Sequence, residues 1–291
     1  MQRILCATDF SPHADRALEH ALELTRQFDA ELTVFTSAYL EPQALAAVAT
    51  GMAPALVDES RADARQRIDT LAGHLRAGGL RVQSAFSTQE PSGAICERAK
   101  ELGADLIALG TRGLSALGHV LSGSVAERVS RLAAMPVLTA HADSPGPGPY
   151  RCVLVPTDFS ADSDAALALA RKLVGRTGGK LVLLHAYDLP HMMTIGAGLA
   201  AANIERTLAD DAHARLAQLR STLSGVEVDT IVSAVQPDPA ITEAALRAHA
   251  DLIVMGTRGR TGLAHVLLGS TAERVLRRAQ VPVITVKAAR S

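Results

Sequence analysis

Two glycine-punctuated stretches hold the residues whose spacing could do chemistry. The first is Gly110-Thr111-Arg112-Gly113, with Gly123-Ser124 after nine intervening residues. The second is Gly256-Thr257-Arg258-Gly259, with Gly269-Ser270 at the same spacing (256 − 110 = 146 and 269 − 123 = 146). Each follows an apolar run, Asp105–Leu109 or Asp251–Met255, and precedes Val125–Val129 or Thr271–Val275. The pattern predicts a buried strand, a loop and a helix start. Glycine admits positive φ and lets another group approach the backbone. A helix N-terminus adds unpaired N–H groups and partial positive charge, so such a loop favours an anion, phosphate above all. Ser124 and Ser270 read equally well as N-caps, each closing a capping box with Glu127 or Glu273. Neither stretch is a P-loop, because no Gly-Lys-Ser/Thr follows, and neither is G-x-G-x-x-G.

A second motif repeats with the first. Thr8-Asp9-Phe10-Ser11 recurs as Thr157-Asp158-Phe159-Ser160 (157 − 8 = 149), each after a short apolar run. Arg112 and Arg258 read either as phosphate neighbours or as solvated loop arginines, and His119 and His265 as phosphate contacts or surface residues. His185 has Thr36 as its counterpart and reads as a local structural feature, not a metal ligand. Cys6, Cys96 and Cys152 show no C-x-x-C or metal spacing, which predicts free thiols in a reducing compartment.

The elements that must position these motifs alternate. Strands are predicted at 3–8, 31–37, 80–87, 105–109 and 136–140, and again at 152–156, 180–185, 226–235, 251–255 and 281–286. Helices are predicted after Ser11-Pro12, at 57–76, 92–102 and 124–134, then around Leu167, Ala170, Leu173 and Val174, at 200–223 and 240–249, and after Gly269. Residues 39–52 and 191–198 read as connections. Such alternation implies α/β domains, each a parallel sheet with helices on both faces, whose ligands bind beyond the carboxyl ends of the strands. If the first and fourth strands are neighbours, each Asp lies beside its glycine loop. The run Ser144-Pro145-Gly146-Pro147-Gly148-Pro149 predicts an extended linker, dividing the chain into 1–143, 144–149 and 150–291.

The totals exclude other classes. The 291 residues suit two domains, and a formal net charge of −1 gives no basic surface for nucleic acid. Aromatics make up 3% of the chain and Trp is absent, so base-stacking platforms are not expected. No apolar run approaches the ~20 residues of a membrane span, and Met1-Gln2-Arg3 leads straight into a strand, so a cytoplasmic protein is expected.

Taken together, Thr-Asp-Phe-Ser after the first strand and Gly-x2-Gly-x9-Gly-Ser after the fourth resemble the universal stress protein family, in its ATP-binding branch and in tandem form. The resemblance implies five-stranded sheets of order 3-2-1-4-5. It implies that Ala7, Asp9, Ser37, Leu109, Gly110, Gly113, Gly123, Ser124 and Val125 surround one adenine nucleotide. Pro156, Asp158, Ala186, Met255, Gly256, Gly259, Gly269, Ser270 and Thr271 would surround a second. Asp9 and Asp158 would face adenine and ribose, and the glycines and serines the ribose and phosphates. A divalent cation, Mg²⁺ or Mn²⁺, would be held through the phosphates, with no protein ligand set. The resemblance also implies pairing of the two domains through their fifth strands, as an internal pseudo-dimer, and allows a homodimer. The function implied is ATP-binding regulation under stress, with no catalytic residue assigned. Slow ATP hydrolysis and a nucleotide-independent interaction module are the competing readings.

Overall fold

The computed structural model describes residues 1–40, 54–111, 124–188, 198–259 and 268–288. The predicted connections at 39–52 and 191–198 lie almost wholly outside these residues. So do Arg112, Gly113, His119, Gly123 and His265 of the two glycine loops.

The chain divides into two units, Met1–Pro147 and Gly148–Ser291. Unit 1 contains β1 (Arg3–Ala7), α1 (Pro12–Phe28), β2 (Glu31–Ser37), α2 (Pro54–Ala77) and β3 (Val82–Ser87). It continues with α3 (Pro91–Leu102), β4 (Leu106–Gly110), α4 (Ser124–Leu132) and β5 (Val137–Ala140). Unit 2 repeats the order: β6 (Cys152–Pro156), α5 (Ala161–Thr177), β7 (Lys180–Ala186), α6 (Gly198–Ser221), β8 (Glu227–Ser233), α7 (Pro237–Arg247), β9 (Leu252–Gly256), α8 (Ser270–Arg278) and β10 (Val283–Val286).

The strands are the apolar runs, and burial on both faces explains their composition. Leu5, Leu32, Leu106 and Ile107 of unit 1, and Leu154, Leu181 and Ile253 of unit 2, have no solvent exposure. Unit 1 runs in the order β3-β2-β1-β4-β5 and unit 2 in the order β10-β9-β6-β7-β8. Each unit, taken by itself, contributes five strands.

All intra-unit pairs are parallel. Ile4 is in register with both Leu32 and Leu106, and Val153 with both Leu181 and Leu252. The first strand of each unit is therefore central, and its carboxyl end lies beside that of the fourth strand. The connection after the first strand leads to one face and that after the fourth to the other, which opens a crevice between them. One core cluster lies under α7 and α8 in unit 2, around Ile241, Ile253, Met255 and Val275. Its equivalent in unit 1 surrounds Ile95, Ile107, Leu109 and Val129 under α3 and α4.

Two local expectations change. The helices predicted from Ser92 and Ala240 begin earlier, at Pro91 and Pro237, because proline fits the first helical turn. The proline- and glycine-rich stretch is also more ordered at its ends than its composition implies. Ser144 is buried and its Oγ accepts the His141 N–H at 3.2 Å. His20 Nε2 lies 3.2 Å from the Pro145 carbonyl and, facing an acceptor, donates to it. On the far side Tyr150 is buried, and its carbonyl accepts the Thr177 hydroxyl at 2.8 Å.

Candidate nucleotide site

The Thr-Asp-Phe-Ser tetrad builds one rim of the site by local hydrogen bonding. In unit 2 the Thr157 hydroxyl accepts the Phe159 N–H at 3.0 Å and Asp158 Oδ1 accepts the Ser160 N–H at 3.1 Å. Ser160 Oγ then caps α5 by accepting the Ser163 N–H at 3.4 Å. Unit 1 makes the same three bonds: Phe10 N–H to Thr8, Ser11 N–H to Asp9, and Ala14 N–H to Ser11. The turn holds Phe10 at φ 60° and Phe159 at φ 61°, a left-handed conformation that costs a bulky residue ~1–2 kcal/mol.

Each ring is covered by an arginine, Arg67 over Phe10 at 4.1 Å and Arg215 over Phe159 at 3.9 Å. The two arginines are one repeat apart (215 − 67 = 148), a signal present in the sequence but not read there. The His185 ring packs against Phe159 at 4.7 Å, and its Nδ1 donates to the Thr157 carbonyl at 2.7 Å. His185 is thus tied into the tetrad turn, and it also lines the cavity described below.

The opposite rim is the loop after β9. A Cβ placed on Gly256 would lie 2.9 Å from the Asp162 backbone, so only glycine lets the strand end pass this close to α5. A Cβ on Gly259 would lie 2.9 Å from Asp158 Oδ2. The carboxylate after the first strand and the glycine loop after the fourth are thus immediate neighbours. Gly269 donates its N–H to the Thr257 carbonyl at 2.7 Å, which closes the loop at its base, and a Cβ there would crowd that carbonyl at 3.1 Å.

The expected capping box is not formed. Gly269, not Ser270, is the N-cap of α8 (φ −74°, ψ 151°), and no side chain caps it. Ser270 stands one residue inside the helix, where its hydroxyl no longer has N-cap geometry. Ser270 is exposed and lines the crevice with Thr271 and Ala272 of the same first turn, where the helix N–H groups lack intrahelical partners.

These rims enclose a cavity of about 720 Å³. All nine residues expected in the second half line it: Pro156, Asp158, Ala186, Met255, Gly256, Gly259, Gly269, Ser270 and Thr271. The volume lies in the range of small-molecule sites. Leu208, Asp211 and Arg215 of α6 form a further wall that the sequence did not reveal.

Unit 1 is described less fully. Ala7 and Leu109 are buried in its core cluster, with Val125 packed against it. Gly110 passes so close to α1 that a Cβ would lie 2.6–2.8 Å from His13 and Ala14. Asp9 accepts from Ser11 as Asp158 does from Ser160, while Ser37 Oγ donates to the Gln89 carbonyl at 2.6 Å. Ser124 opens α4.

Arg258 lines the same cavity and is paired with an acid rather than solvated. Its Nε and Nη2 each donate to the Asp162 carboxylate at 3.0 Å, a bidentate pair with Asp162 only 5% exposed. Burial raises the Asp162 pKa, but hydrogen bonds from Arg258, the Ala288 N–H and Thr257 outweigh it and hold the carboxyl below its usual value. Breaking a pair this buried strands a charge, at a cost on the order of 3–5 kcal/mol. Two of the three thiols are held in the unreactive protonated form: burial pushes Cys6 up to about 12 and also raises Cys152.

The comparisons agree with this architecture. The universal stress protein family pattern matches residues 1–141 and 149–287. A universal stress protein of Mycobacterium tuberculosis is 32% identical over 210 residues, covering 72% of this chain and 69% of that protein. The crystal structure of a universal stress protein from Archaeoglobus fulgidus superposes with a TM-score of 0.72 at 26% identity, covering 99% of this chain and 98% of the other. A smaller likeness, TM-score 0.38 at 25% identity, covers 48% of this chain and 97% of a universal stress protein solved in complex with cAMP. The chain belongs to the universal stress protein family and contains two of its domains in tandem.

Proposed function

We propose that the protein binds an adenine nucleotide, ATP foremost, in the cavity of unit 2, and that unit 1 uses its equivalent residues for a second. The observation that carries this reading is the approach of Gly259 to the Asp158 carboxylate at the mouth of a helix whose N-terminus no side chain caps. A carboxylate accepts hydrogen bonds from ribose hydroxyls, and a helix N-terminus donates them to phosphate. The two chemistries stand side by side, as a nucleotide requires. Pro156, Ala186 and Met255 supply the apolar wall for the base.

The fit extends to the glycines, since side chains at Gly259 or Gly269 would displace Asp158 or the loop base. A divalent cation would ride on the phosphates. The role we infer is regulatory binding under stress, read out through the nucleotide state.

Denaturing freshly purified protein and identifying the released small molecules by mass spectrometry tests the reading. Adenine nucleotide is expected, and Gly269→Val should reduce its amount per chain. A different nucleotide base, or an unchanged yield from both Gly269→Val and Asp158→Ala, would overturn the assignment.

A further inference from the structure

Asp162 receives more hydrogen bonds than any ion pair on a surface needs. Its Oδ2 accepts the Thr257 hydroxyl at 2.9 Å, the Arg258 N–H at 3.2 Å and Arg258 Nε at 3.0 Å. Its Oδ1 accepts Arg258 Nη2 and the Ala288 N–H, both at 3.0 Å. It stands in the first turn of α5, whose N-terminus favours a carboxylate. Three separate segments, the start of α5, the entry to the glycine loop and the exit of β10, are thus tied to one side chain.

The corresponding position in unit 1 is His13 (162 − 149 = 13), and it gathers the same two segments with a different acceptor. The Ala142 N–H, equivalent to that of Ala288, donates to His13 Nδ1 at 3.0 Å. Thr111, equivalent to Thr257, places its hydroxyl 3.3 Å from the same nitrogen and 2.9 Å from His141 Nδ1. A carboxylate and an imidazole share little except the ability to accept these donors. What the two units have in common is the latch itself.

Resting on the nucleotide reading above, we infer that Asp162 is the positioning residue of the phosphate loop in unit 2. It fixes Thr257 and Arg258, and so sets where Gly259 and the loop closing at Gly269 meet a triphosphate, without touching the ligand. The base and ribose end, built on Asp158 and Ala186, is held by the tetrad's own bonds and meets Arg258 through a long bond from the Ser160 hydroxyl to the Arg258 carbonyl at 3.4 Å. The latch should therefore matter more for phosphates than for the nucleoside.

Photolabelling the full chain with 8-azido-ATP, followed by digestion and peptide mapping, reads the two units separately, with unlabelled ATP or adenosine as competitor. In Asp162→Asn the ATP needed to protect unit 2 should rise about tenfold while adenosine changes less than about twofold and unit 1 is unaffected. Should Asp162→Asn fail to fold, Arg258→Gln removes the pair from the other side, with the same split expected at about threefold. Parallel weakening of ATP and adenosine would mean a general structural role, and unchanged ATP protection would mean no role; either overturns the inference alone. Failure of wild-type unit 2 to label at all would overturn the nucleotide reading, and the inference with it.

Discussion

Glycines that look alike in the sequence do different work once their neighbours are known. At Gly256 an added Cβ meets the Asp162 backbone at 2.9 Å, which cannot yield cheaply. Gly256→Ala is expected to destabilise the protein by about 1–3 kcal/mol, measured by urea denaturation. At Gly259 the added Cβ meets only the Asp158 carboxylate, at 2.9 Å. Gly259→Ala should leave the melting temperature nearly unchanged and weaken ATP binding, because it moves the carboxylate proposed to meet the ribose; equal loss of stability at both positions would refute the distinction. Gly175, inside α5 with nothing within 4 Å of an added Cβ, should tolerate alanine with a gain of roughly 0.5–1 kcal/mol. The sequence showed which glycines belong to the loop, because their spacing repeats. It could not show the partner of Arg258, since Asp162 lies 96 residues away and has no counterpart acid at His13. The arginines over Phe10 and Phe159 were legible in principle, as a repeat between the two long helices predicted at 57–76 and 200–223.

Among the elements, α1 shows how burial of one titratable group couples a connection to pH. His20 is 2% exposed on α1 and donates to the Pro145 carbonyl. Burial, more than the nearby Arg16 charge, lowers its pKa from 6.5 to about 4, against the hydrogen bond to Pro145. The folded state thus binds this proton less readily than the unfolded chain. Its stabilising contribution is complete above pH ~6.5 and is lost as the pH falls toward 4. His20→Gln, which keeps a donor and cannot titrate, should flatten the fall in stability between pH 6.5 and 4; an unchanged slope in acid denaturation would remove His20 from the account. Composition had read residues 144–149 as an extended linker. It missed the anchoring of Ser144 and Pro145 because that depends on a histidine 125 residues earlier in the chain. The strands, by contrast, were legible almost to the residue, since fully buried parallel strands require unbroken apolar runs such as Leu106-Ile107-Ala108-Leu109.

For the whole molecule, duplication is the organising fact. The constant 146-residue offset between the glycine motifs (256 − 110 = 146) reflects the same register of first and fourth strands in both units. Duplication has preserved the tetrad, the Phe–Arg stack and the close glycine before the loop, and has let the latch diverge between His13 and Asp162. No helix among the described residues is long and apolar enough to cross a membrane. The central claim is that unit 2 binds an adenine nucleotide between Asp158 and the N-terminus of α8. Isothermal titration of the full chain with ATP and Mg²⁺, repeated on Gly269→Val, tests it most directly. The account predicts saturable binding of at least one ATP per chain, with one equivalent lost in the variant. Absence of saturation at millimolar ATP, or identical stoichiometry and affinity in Gly269→Val, would contradict it.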